Sequence, residues 1–241
     1  MTVLFVTGTG TEIGKTVVSA AIAATSLAVG ASVAYLKPAQ TGLGPDEPGD
    51  AAEVTRLAGY ELTGVELARY PDPLAPATAA RRAGQPSVGP GEIAEAAAKL
   101  AAVHDIVLVE GAGGLLVRFD EEGSTLADAA KMLGAPVLVV APAGLGTLNT
   151  AALTAEALRA RALACAGFVI GSWPGDPDLA ARSNLADLPV CTGAPLVGAV
   201  PAGAAELTPE AFQQAAPGWI APRIGGLWDV DAFTAVWSSI I

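Results

Sequence analysis

Short apolar runs alternate along this chain with longer segments whose apolar positions recur at helical spacing. The runs are continuous rather than alternating, which is typical of strands that helices cover on both faces. They lie at residues 3–7, 32–36, 106–109, 137–141, 167–170 and 196–200. Helical patterns lie at residues 15–29, 51–58, 91–102, 125–133 and 147–162. This alternation predicts an α/β fold with a doubly wound, mainly parallel sheet flanked by helices.

Neither an internal repeat nor a long flexible linker divides the chain, so we expect one domain over residues 1–241. Residues 70–90 are rich in Pro and Ala, which predicts a loop with one short helix. The tail from about residue 210 to 241 is different, because apolar side chains there recur at near-helical spacing. They are Leu227, Val230, Phe233, Val236, Trp237 and Ile240. This pattern predicts a terminal helix that docks on the body or, alternatively, a partner-binding or dimer element.

Composition narrows the class of protein. The net charge of −11 argues against non-specific nucleic-acid binding, which needs a basic surface. Apolar runs stay shorter than the roughly 20 residues of a membrane span, and the N-terminus lacks a signal-peptide pattern, so we expect no membrane contact and a cytoplasmic location. Cys165 and Cys191 lack a CxxC spacing and lie in apolar surroundings, which predicts buried, reduced thiols. His104 is expected to be a surface or capping residue.

Residues 8–16, GTGTEIGKT, follow one strand and open a helix, as a phosphate-binding loop requires. Glycines let backbone N–H groups converge on phosphate oxygens, and the helix N-terminus adds partial positive charge. Lys15 would reach the β- and γ-phosphates, and the Thr16 hydroxyl would ligate Mg²⁺. A strict form of the motif has Gly where Thr9 stands here. The segment predicts nucleotide phosphate binding.

Three further segments follow predicted strands. Residues 37–42, KPAQTG, place Lys37 and Thr41 on a strand-end loop where both could face one ligand, although an ordinary turn with an exposed lysine is the alternative. Glu110 ends a strand and precedes the glycine-rich residues 111–114, which is the form of a magnesium-binding carboxylate beside a phosphate loop. Residues 145–149, LGTLN, begin a helix whose free N–H groups could bind an anion, or which is simply capped.

Taken in order, GTxTxxGKT, KPxxTG, VEGAGG and LGxxN resemble the dethiobiotin synthase family of the P-loop NTPase superfamily, over about residues 1–205. The resemblance implies that Lys37, Lys15 and Thr11 are catalytic and that Thr16, Asp50 and Glu110 hold Mg²⁺. Without it, Asp50 would be only a helix N-cap. The residues that the resemblance assigns to nucleotide are Glu12, Ile13, Gly14, Lys15, Thr16, Val17, Asp50, Glu110, Gly111, Ala112, Gly113, Gly171, Ser172, Pro201, Ala202 and Gly203. Those that it assigns to substrate are Thr41, Leu145, Gly146 and Asn149, the last three across a homodimer interface.

The implied reaction, in biotin biosynthesis, joins ATP, 7,8-diaminopelargonic acid and CO₂ (or bicarbonate) to give dethiobiotin, ADP and phosphate. One amine captures CO₂ as a carbamate, which takes the γ-phosphoryl group to form a carbamic–phosphoric anhydride. The second amine then closes the ring and expels phosphate. Positioning and charge neutralisation should dominate such a phosphoryl transfer.

The chain departs from the family pattern at the base-contacting loops. Residues 171–174 read GSWP, where many members of the family carry an Asn-Asp pair that reads adenine. Ser172 is smaller, and the Trp173 indole could stack on a base or block it. Residues 201–203, PAG, are also small. We therefore expect a looser choice of nucleotide, with CTP or other triphosphates accepted alongside ATP.

Two other classes of P-loop protein were considered. Synthetases related to cobyrinate amidation usually carry a glutaminase domain with a Cys and a His, for which this chain is too short. Partition-type ATPases carry a second lysine where Gly10 stands here, and a basic membrane-binding helix is absent from the sequence. Both classes fit the sequence less well than the synthase does.

Overall fold

A parallel sheet forms the centre of the computed structural model, which describes residues 2–59 and 61–238. Its strands are β1 Thr2–Gly8, β2 Val33–Thr41, β3 Thr63–Tyr70, β4 Ile106–Gly114, β5 Val137–Ala141, β6 Cys165–Trp173 and β7 Leu196–Pro201. They are arranged in the order β3-β2-β4-β1-β5-β6-β7, and all pairings between them are parallel. The predicted fold class is therefore confirmed.

Helices cover both faces of this sheet. They are α1 Lys15–Ala28, α2 Asp50–Ala58, α3 Pro76–Ala83, α4 Pro90–Ala101, α5 Leu126–Leu133, α6 Thr147–Ala160, α7 Leu179–Thr192, α8 Pro209–Ala215 and α9 Val230–Ser238. Helices α1, α2 and α8 pack over one face, through residues such as Val18, Val54 and Phe212. The remaining helices pack over the other face, where Ile93 and Leu158 are buried. Because helices cover the central strands on both faces, those strands carry continuous rather than alternating apolar residues.

The six strands predicted from apolar runs are all present, but β3 was not predicted. That strand pairs only with β2 at the edge of the sheet, and its sequence TGVELARY carries two charged residues. Edge position relaxes the demand for apolar side chains, so the run of hydrophobic residues is lost. Helices α7 and α8 were also not predicted. In α7 the helical pattern is interrupted by Pro189, while Asp178 caps its start by accepting from Ala181 N at 2.7 Å.

The C-terminal helix α9 docks on the body of the protein. Phe233 and Trp237 pack against the larger core cluster, and Trp228, just before the helix, is buried. Leu227 lies outside the helix and is 77 % exposed, and Ile240 falls outside the described residues. Of the two alternatives predicted for this helix, its contacts match a terminal helix that docks on the body.

The structure also bears on the predictions for membrane spans, the two cysteines and His104. The described residues include no helix that is both long and apolar enough to cross a membrane, and the cytoplasmic location stays a prediction. Cys165 and Cys191 are free thiols as predicted, but they are half-buried rather than buried. Both lie at element ends, at the start of β6 and in the last turn of α7, where packing is incomplete. His104 is partly exposed and follows α4, with Nδ1 2.9 Å from the Leu100 carbonyl oxygen.

The end of β6 lies directly against the phosphate-binding loop predicted from the sequence. A Cβ atom on Gly171 would lie 1.9 Å from the Ile13 carbonyl oxygen, and one on Gly14 would lie 2.3 Å from the Gly171 carbonyl oxygen. Both obstacles are backbone atoms, which cannot rotate away. The two segments therefore fit together only because each carries glycine at the contact.

We expect Gly171→Ala to lower the free energy of unfolding by about 1–3 kcal/mol, because the added methyl group forces two backbone segments apart. Urea unfolding measures this change. Gly175→Ala is the matched control, since a Cβ there would meet no described atom within 4 Å. Equal unfolding midpoints for the two variants would contradict the close contact.

Candidate active site

A cavity of about 410 Å³ opens where the phosphate-binding loop meets the carboxyl-terminal halves of β2 and β4. It gathers side chains from four segments that lie far apart in the sequence. Of the predicted site residues, its lining includes Thr11, Glu12, Ile13, Gly14, Lys15, Thr16, Val17, Lys37, Thr41, Asp50, Glu110, Ala112 and Gly113. Three neighbouring strands, β1, β4 and β2, bring these segments together at one edge of the sheet.

The phosphate-binding loop is held in shape by its own lysine. Lys15 Nζ donates to the Gly10 carbonyl oxygen at 2.9 Å, and the side chain is almost fully buried. Gly14 has φ +91° and Glu12 has φ +57°, a left-handed conformation that is uncommon outside glycine. Backbone strain of this kind concentrates at functional sites. The loop thus places a lysine and the N-terminus of α1 at the floor of the cavity.

Glu110 is a fully buried carboxylate with a donor on each oxygen. Its Oε1 accepts from Thr16 Oγ1 at 3.0 Å and from Lys37 Nζ at 3.0 Å. Its Oε2 accepts from Ser19 Oγ at 2.7 Å. The strand β4 continues to Gly114, so Glu110 lies within the strand rather than at its end, and Gly113 in this last part of the strand has φ +65°.

Lys37 lies inside β2, which corrects the prediction that residues 37–41 form a loop after the strand. The apolar run ends at Leu36 because the next residues face the cavity rather than the core. Lys37 and Thr41 nevertheless both line the cavity, as a shared ligand would require. Lys37 Nζ contacts three acceptors: Asp50 Oδ2 at 2.5 Å, Glu110 Oε1 at 3.0 Å and the Gly111 carbonyl at 3.1 Å.

The two cavity lysines have shifted pKa values of opposite sign. Burial alone would lower the pKa of Lys37, but the charges of Glu110 and Asp50 outweigh burial and raise it above its ordinary value. Burial lowers the pKa of Lys15, an effect that Glu110 partly offsets and that the charge of Lys37 reinforces. Lys37 is therefore held as a cation, and Lys15 is the cation that gains most from a bound anion.

Asp50 is the first residue of α2 and not its cap, because Gly49 occupies the cap position. Gln40 Oε1 accepts from the Asp50 backbone N–H at 2.9 Å. The preceding loop is tied to β3 by Arg69, whose Nη1 donates to the carbonyls of Gly44 at 2.9 Å and Glu47 at 2.6 Å. These contacts hold the Asp50 carboxylate beside Lys37.

Four residues around the site were not predicted from the sequence. Ser19 lies one helical turn after Lys15, a spacing that could have drawn attention to it. Gln40 stands inside the KPAQTG segment, but its capping role depends on where α2 begins. Arg69 belongs to the unpredicted strand β3. Tyr35 shares a strand face with Lys37, and its pKa is raised well above its ordinary value by burial and then by the charge of Glu110.

The predicted anion site at the start of α6 does not line this cavity. Leu145 is 93 % exposed, and Gly146 and Asn149 are exposed as well. These residues follow β5, on the same edge of the sheet as the phosphate-binding loop. Within one chain they do not meet Lys37 or Thr41 at the cavity.

The predicted base-contacting loops lie at the ends of β6 and β7. Gly171 is buried against the phosphate-binding loop, while Ser172, Pro201, Ala202 and Gly203 are exposed. Trp173 is only 5 % exposed, and its ring lies in the larger core cluster. The indole therefore neither stacks on a base nor blocks one, which corrects the expectation from the sequence.

The donor set at the cavity fits a hard divalent cation. Thr16 Oγ1 and Glu110 Oε1 are 3.0 Å apart, and Asp50 lies on the other side of Lys37. Magnesium is commonly held by one or two carboxylates together with phosphate oxygens and water. Clusters of three or more His, Cys, Asp or Glu side chains are absent from the described residues, so a purely protein-built metal cage is not present there. The residues fit Mg²⁺ that arrives with a phosphate ligand.

Parallel α/β architecture and a lysine-bearing loop at a helix N-terminus, facing a buried carboxylate, define a P-loop nucleotide-dependent protein. The sequence model of a family described as AAA domain matches residues 2–210. Curated relatives named ATP-dependent dethiobiotin synthetase BioD include one from Streptomyces avermitilis, 68 % identical over 98 % of this chain and 98 % of the relative. Another, from Streptomyces coelicolor, is 69 % identical over 97 % of this chain and 98 % of the relative. The chain belongs to the dethiobiotin synthetase family, as its motifs predicted.

Solved structures with the same fold come from distant proteins. A ParA family ATPase from Chlorobium tepidum has a TM-score of 0.57 at 13 % identity and covers 100 % of this chain and 99 % of that one. The septum site-determining protein MinD from Pyrococcus horikoshii, complexed with Mg-ADP, has a TM-score of 0.55 at 16 % identity, with 99 % and 95 % covered. At such low identity these structures establish the shared fold alone.

Lys15→Met tests the role of the phosphate-binding loop. Without ligand, Lys15→Met loses the hydrogen bond to the Gly10 carbonyl, which destabilises the protein, but it also removes a buried positive charge near Lys37, which stabilises it. Because the two effects oppose each other, we expect the free energy of unfolding to change by less than about 1 kcal/mol. Magnesium tripolyphosphate at 100 times its Kd should stabilise the unchanged chain by about 2.7 kcal/mol and the variant far less. Thermal unfolding with and without tripolyphosphate measures both effects.

Lys99→Met is the matched control, because it removes the same charge from the exposed surface of α4. It should leave the stabilisation by tripolyphosphate intact. If tripolyphosphate stabilised both variants equally, Lys15 would not be the phosphate-binding cation.

Proposed function

We propose that this chain catalyses ATP-dependent ring closure of 7,8-diaminopelargonic acid with CO₂ to give dethiobiotin, the reaction for which its family is named. The observation that carries this proposal is Lys37. Its ammonium group is buried beside the phosphate-binding loop, is kept charged by Glu110 and Asp50, and lines the cavity together with Lys15. A fixed cation beside the phosphates is what transfer of a phosphoryl group to a carbamate requires.

The triphosphate would lie on the N–H groups of residues 10–16 and on Lys15, at the N-terminus of α1. Thr16, Asp50 and Glu110 would hold Mg²⁺, which when bound neutralises charge on the β- and γ-phosphates. Residues 111–113, beside the loop, allow the backbone to approach the transferring group. All of these groups stay fixed during the reaction, so the protein acts chiefly by positioning and electrostatics.

In this mechanism one amine of the substrate captures CO₂ and loses a proton, which gives an N-carbamate. A carbamate oxygen attacks the γ-phosphorus, and ADP leaves. The second amine attacks the carbonyl carbon of the resulting anhydride, loses a proton, and phosphate leaves as the ring closes. Lys37 would neutralise the carbamate oxygens at both steps, because its raised pKa keeps it charged. Thr11 and Thr41, which both line the cavity, would donate hydrogen bonds to the substrate.

We further propose that the carboxylate tail of the substrate binds at the start of α6 in a second copy of the chain. Leu145, Gly146 and Asn149 are too exposed to form a closed site in one chain. Leu153, on the same helix, is 58 % exposed, and Leu116, after β4, is 45 % exposed. An apolar surface of this kind beside a catalytic cavity is consistent with a homodimer.

Nucleotide choice follows from the loops at the ends of β6 and β7. Gly171, Ser172, Pro201, Ala202 and Gly203 offer one side-chain hydroxyl and otherwise only backbone groups. An enzyme rejects a wrong base strongly only when that base leaves polar side chains of the site without hydrogen-bond partners. This site has no dedicated side-chain donor and acceptor for adenine, so its discrimination between nucleotide bases should be weak. We therefore propose that CTP and other triphosphates are used alongside ATP.

The decisive experiment measures phosphate release with Mg²⁺, 7,8-diaminopelargonic acid and bicarbonate, separately with ATP, CTP, GTP and UTP. We expect release to require both the diamine and bicarbonate, with dethiobiotin identified by mass. Rates with the different nucleotides should lie within about two orders of magnitude, because a site without dedicated polar side chains for the base discriminates by roughly 1–3 kcal/mol at most. Release that ignores the diamine would contradict the synthase function, and turnover of ATP alone would contradict the weak base selection.

Lys37→Ala should lower the rate of the chemical step by about two to three orders of magnitude, since one electrostatic donor at a reacting oxygen is worth that much. Nucleotide binding should persist, because Lys15 and the loop remain. Single-turnover kinetics and equilibrium binding separate the two effects. The control Lys99→Ala removes an exposed lysine from α4 and should leave turnover unchanged. Turnover of Lys37→Ala at the rate of the unchanged chain would remove Lys37 from the catalytic role.

A further inference from the structure

The end of β6 packs against other elements on both faces of the sheet. On one face Gly171 lies against the phosphate-binding loop, with room for no Cβ beside the Ile13 carbonyl. On the other face the Trp173 ring is buried in the larger core cluster, 5 % exposed. Between them Ser172 is exposed to solvent. The three residues form a short segment whose backbone has little freedom to move.

An irregularity of the strand allows neighbouring residues of β6 to pack on opposite faces of the sheet. In a regular strand, Gly171 and Trp173 would point to the same face. The pairing of β6 with β7 shifts its register between Ile170 and Trp173, so that Trp173 joins Ile170 on the α9 side of the sheet. Strand irregularities of this kind are frequent beside active sites, where they re-aim a side chain.

Helix α9 provides the packing partners of Trp173. The centroid of the Trp173 ring lies 5.2 Å from that of Phe233, at an interplanar angle of 70°, and 5.6 Å from that of Trp237. Trp228 extends the cluster through Phe233 at 5.3 Å. Trp173 Nε1 is buried and has no hydrogen-bond partner among residues 2–59 and 61–238. The orientation of the indole is therefore set by aromatic packing and not by a polar contact.

Trp173 also connects the two loops that were assigned to the nucleotide base. Its carbonyl oxygen accepts from the Ala202 backbone N–H at 2.7 Å, and it pairs with Pro201 in the sheet. A displacement of Trp173 would therefore move residues 171–173 and 201–203 together. Since these loops offer almost only backbone groups, base binding depends on where the backbone lies rather than on adaptable side chains.

We propose that Trp173 is a positioning residue for the nucleotide base and that α9 is the element that holds it in place. The proposal rests on the base subsite of the proposed function. It gives a role to the C-terminal helix, which the family motifs do not reach. Helix α9 acts first on the base half of the nucleotide site, because Lys15, Thr16 and the N-terminus of α1 build the phosphate half and α9 reaches that half only through Gly171.

The test compares two ligands that share the phosphate site. Inorganic tripolyphosphate occupies the phosphate-binding loop alone, whereas ATP and CTP also carry a base. Phe233→Leu loosens the packing on Trp173 without touching either loop. We expect it to weaken ATP and CTP binding about fivefold, the value of one ordinary hydrogen bond, and to change tripolyphosphate affinity less than that. Titration calorimetry with Mg²⁺ measures all three affinities on the full chain.

The control is Phe212→Leu, which makes the same change in the other aromatic pair of the protein's described part. Phe212 and Trp219 also have ring centroids 5.2 Å apart, but they belong to the cluster on the opposite face of the sheet. This control should lose stability while keeping the ratio of nucleotide to tripolyphosphate affinity. An unchanged ratio in Phe233→Leu, or an equal loss for all three ligands, would overturn the role of α9.

Failure of the proposed function would look different. If tripolyphosphate did not bind the unchanged chain, the phosphate site itself would be wrong. If ATP and CTP bound the unchanged chain no more tightly than tripolyphosphate, a base subsite would not exist, and the positioning role would fall with it. Trp237→Leu provides a second variant, expected to shift the affinity ratio in the same direction as Phe233→Leu.

Discussion

A buried carboxylate in the middle of the sheet is the constraint on which the site depends. Glu110 is wholly removed from solvent, and an isolated ion in such a place would cost several kcal/mol. The cost is offset because both oxygens accept hydrogen bonds and one faces the Lys37 ammonium group at 3.0 Å. Lys37 in turn is buried, and its three N–H donors face Asp50, Glu110 and the Gly111 carbonyl. Each ion therefore offsets much of the cost of burying the other.

This pair explains why the surrounding elements lie where they do. Thr16 and Ser19 reach Glu110 only because α1 begins directly above β4, and α1 begins there because the phosphate-binding loop ends at Gly14. Asp50 reaches Lys37 only because α2 begins beside β2. The start of α2 is fixed by Gln40, and the preceding loop by Arg69 of the edge strand. An edge strand without a residue in the cavity thus still contributes to the site.

Local motifs made the phosphate-binding loop and the six apolar strands predictable from the sequence, and family resemblance assigned Lys37, Asp50 and Glu110 to one site without predicting the ion pairs between them. In these cases the residue types and their order carry the information, either through backbone geometry or through family resemblance. Features that depend on distant neighbours were not predictable. Strand β3 has no apolar run because it lies at the edge, and the orientation of Trp173 depends on a register shift of β6 that its sequence does not reveal. Ser19 is significant only once β4 places Glu110 beneath α1.

One fold can host many functions, so the fold does not by itself decide between a nucleotide-driven switch and a synthase. The charges of the cavity are more informative. Lys15 and Lys37 are balanced by Asp50 and Glu110, so the protein brings no excess positive charge to its own phosphate site. A bound triphosphate then leaves the cavity strongly negative, even with the N-terminus of α1 beside it. We expect such a site to draw in a divalent cation with the nucleotide, because Thr16, Asp50 and Glu110 are hard oxygen donors suited to hold one. Lys37, released in part from its carboxylates by that cation, would then be the group with charge to offer an acceptor substrate. A switch that only hydrolyses nucleotide would have no acceptor to place beside it.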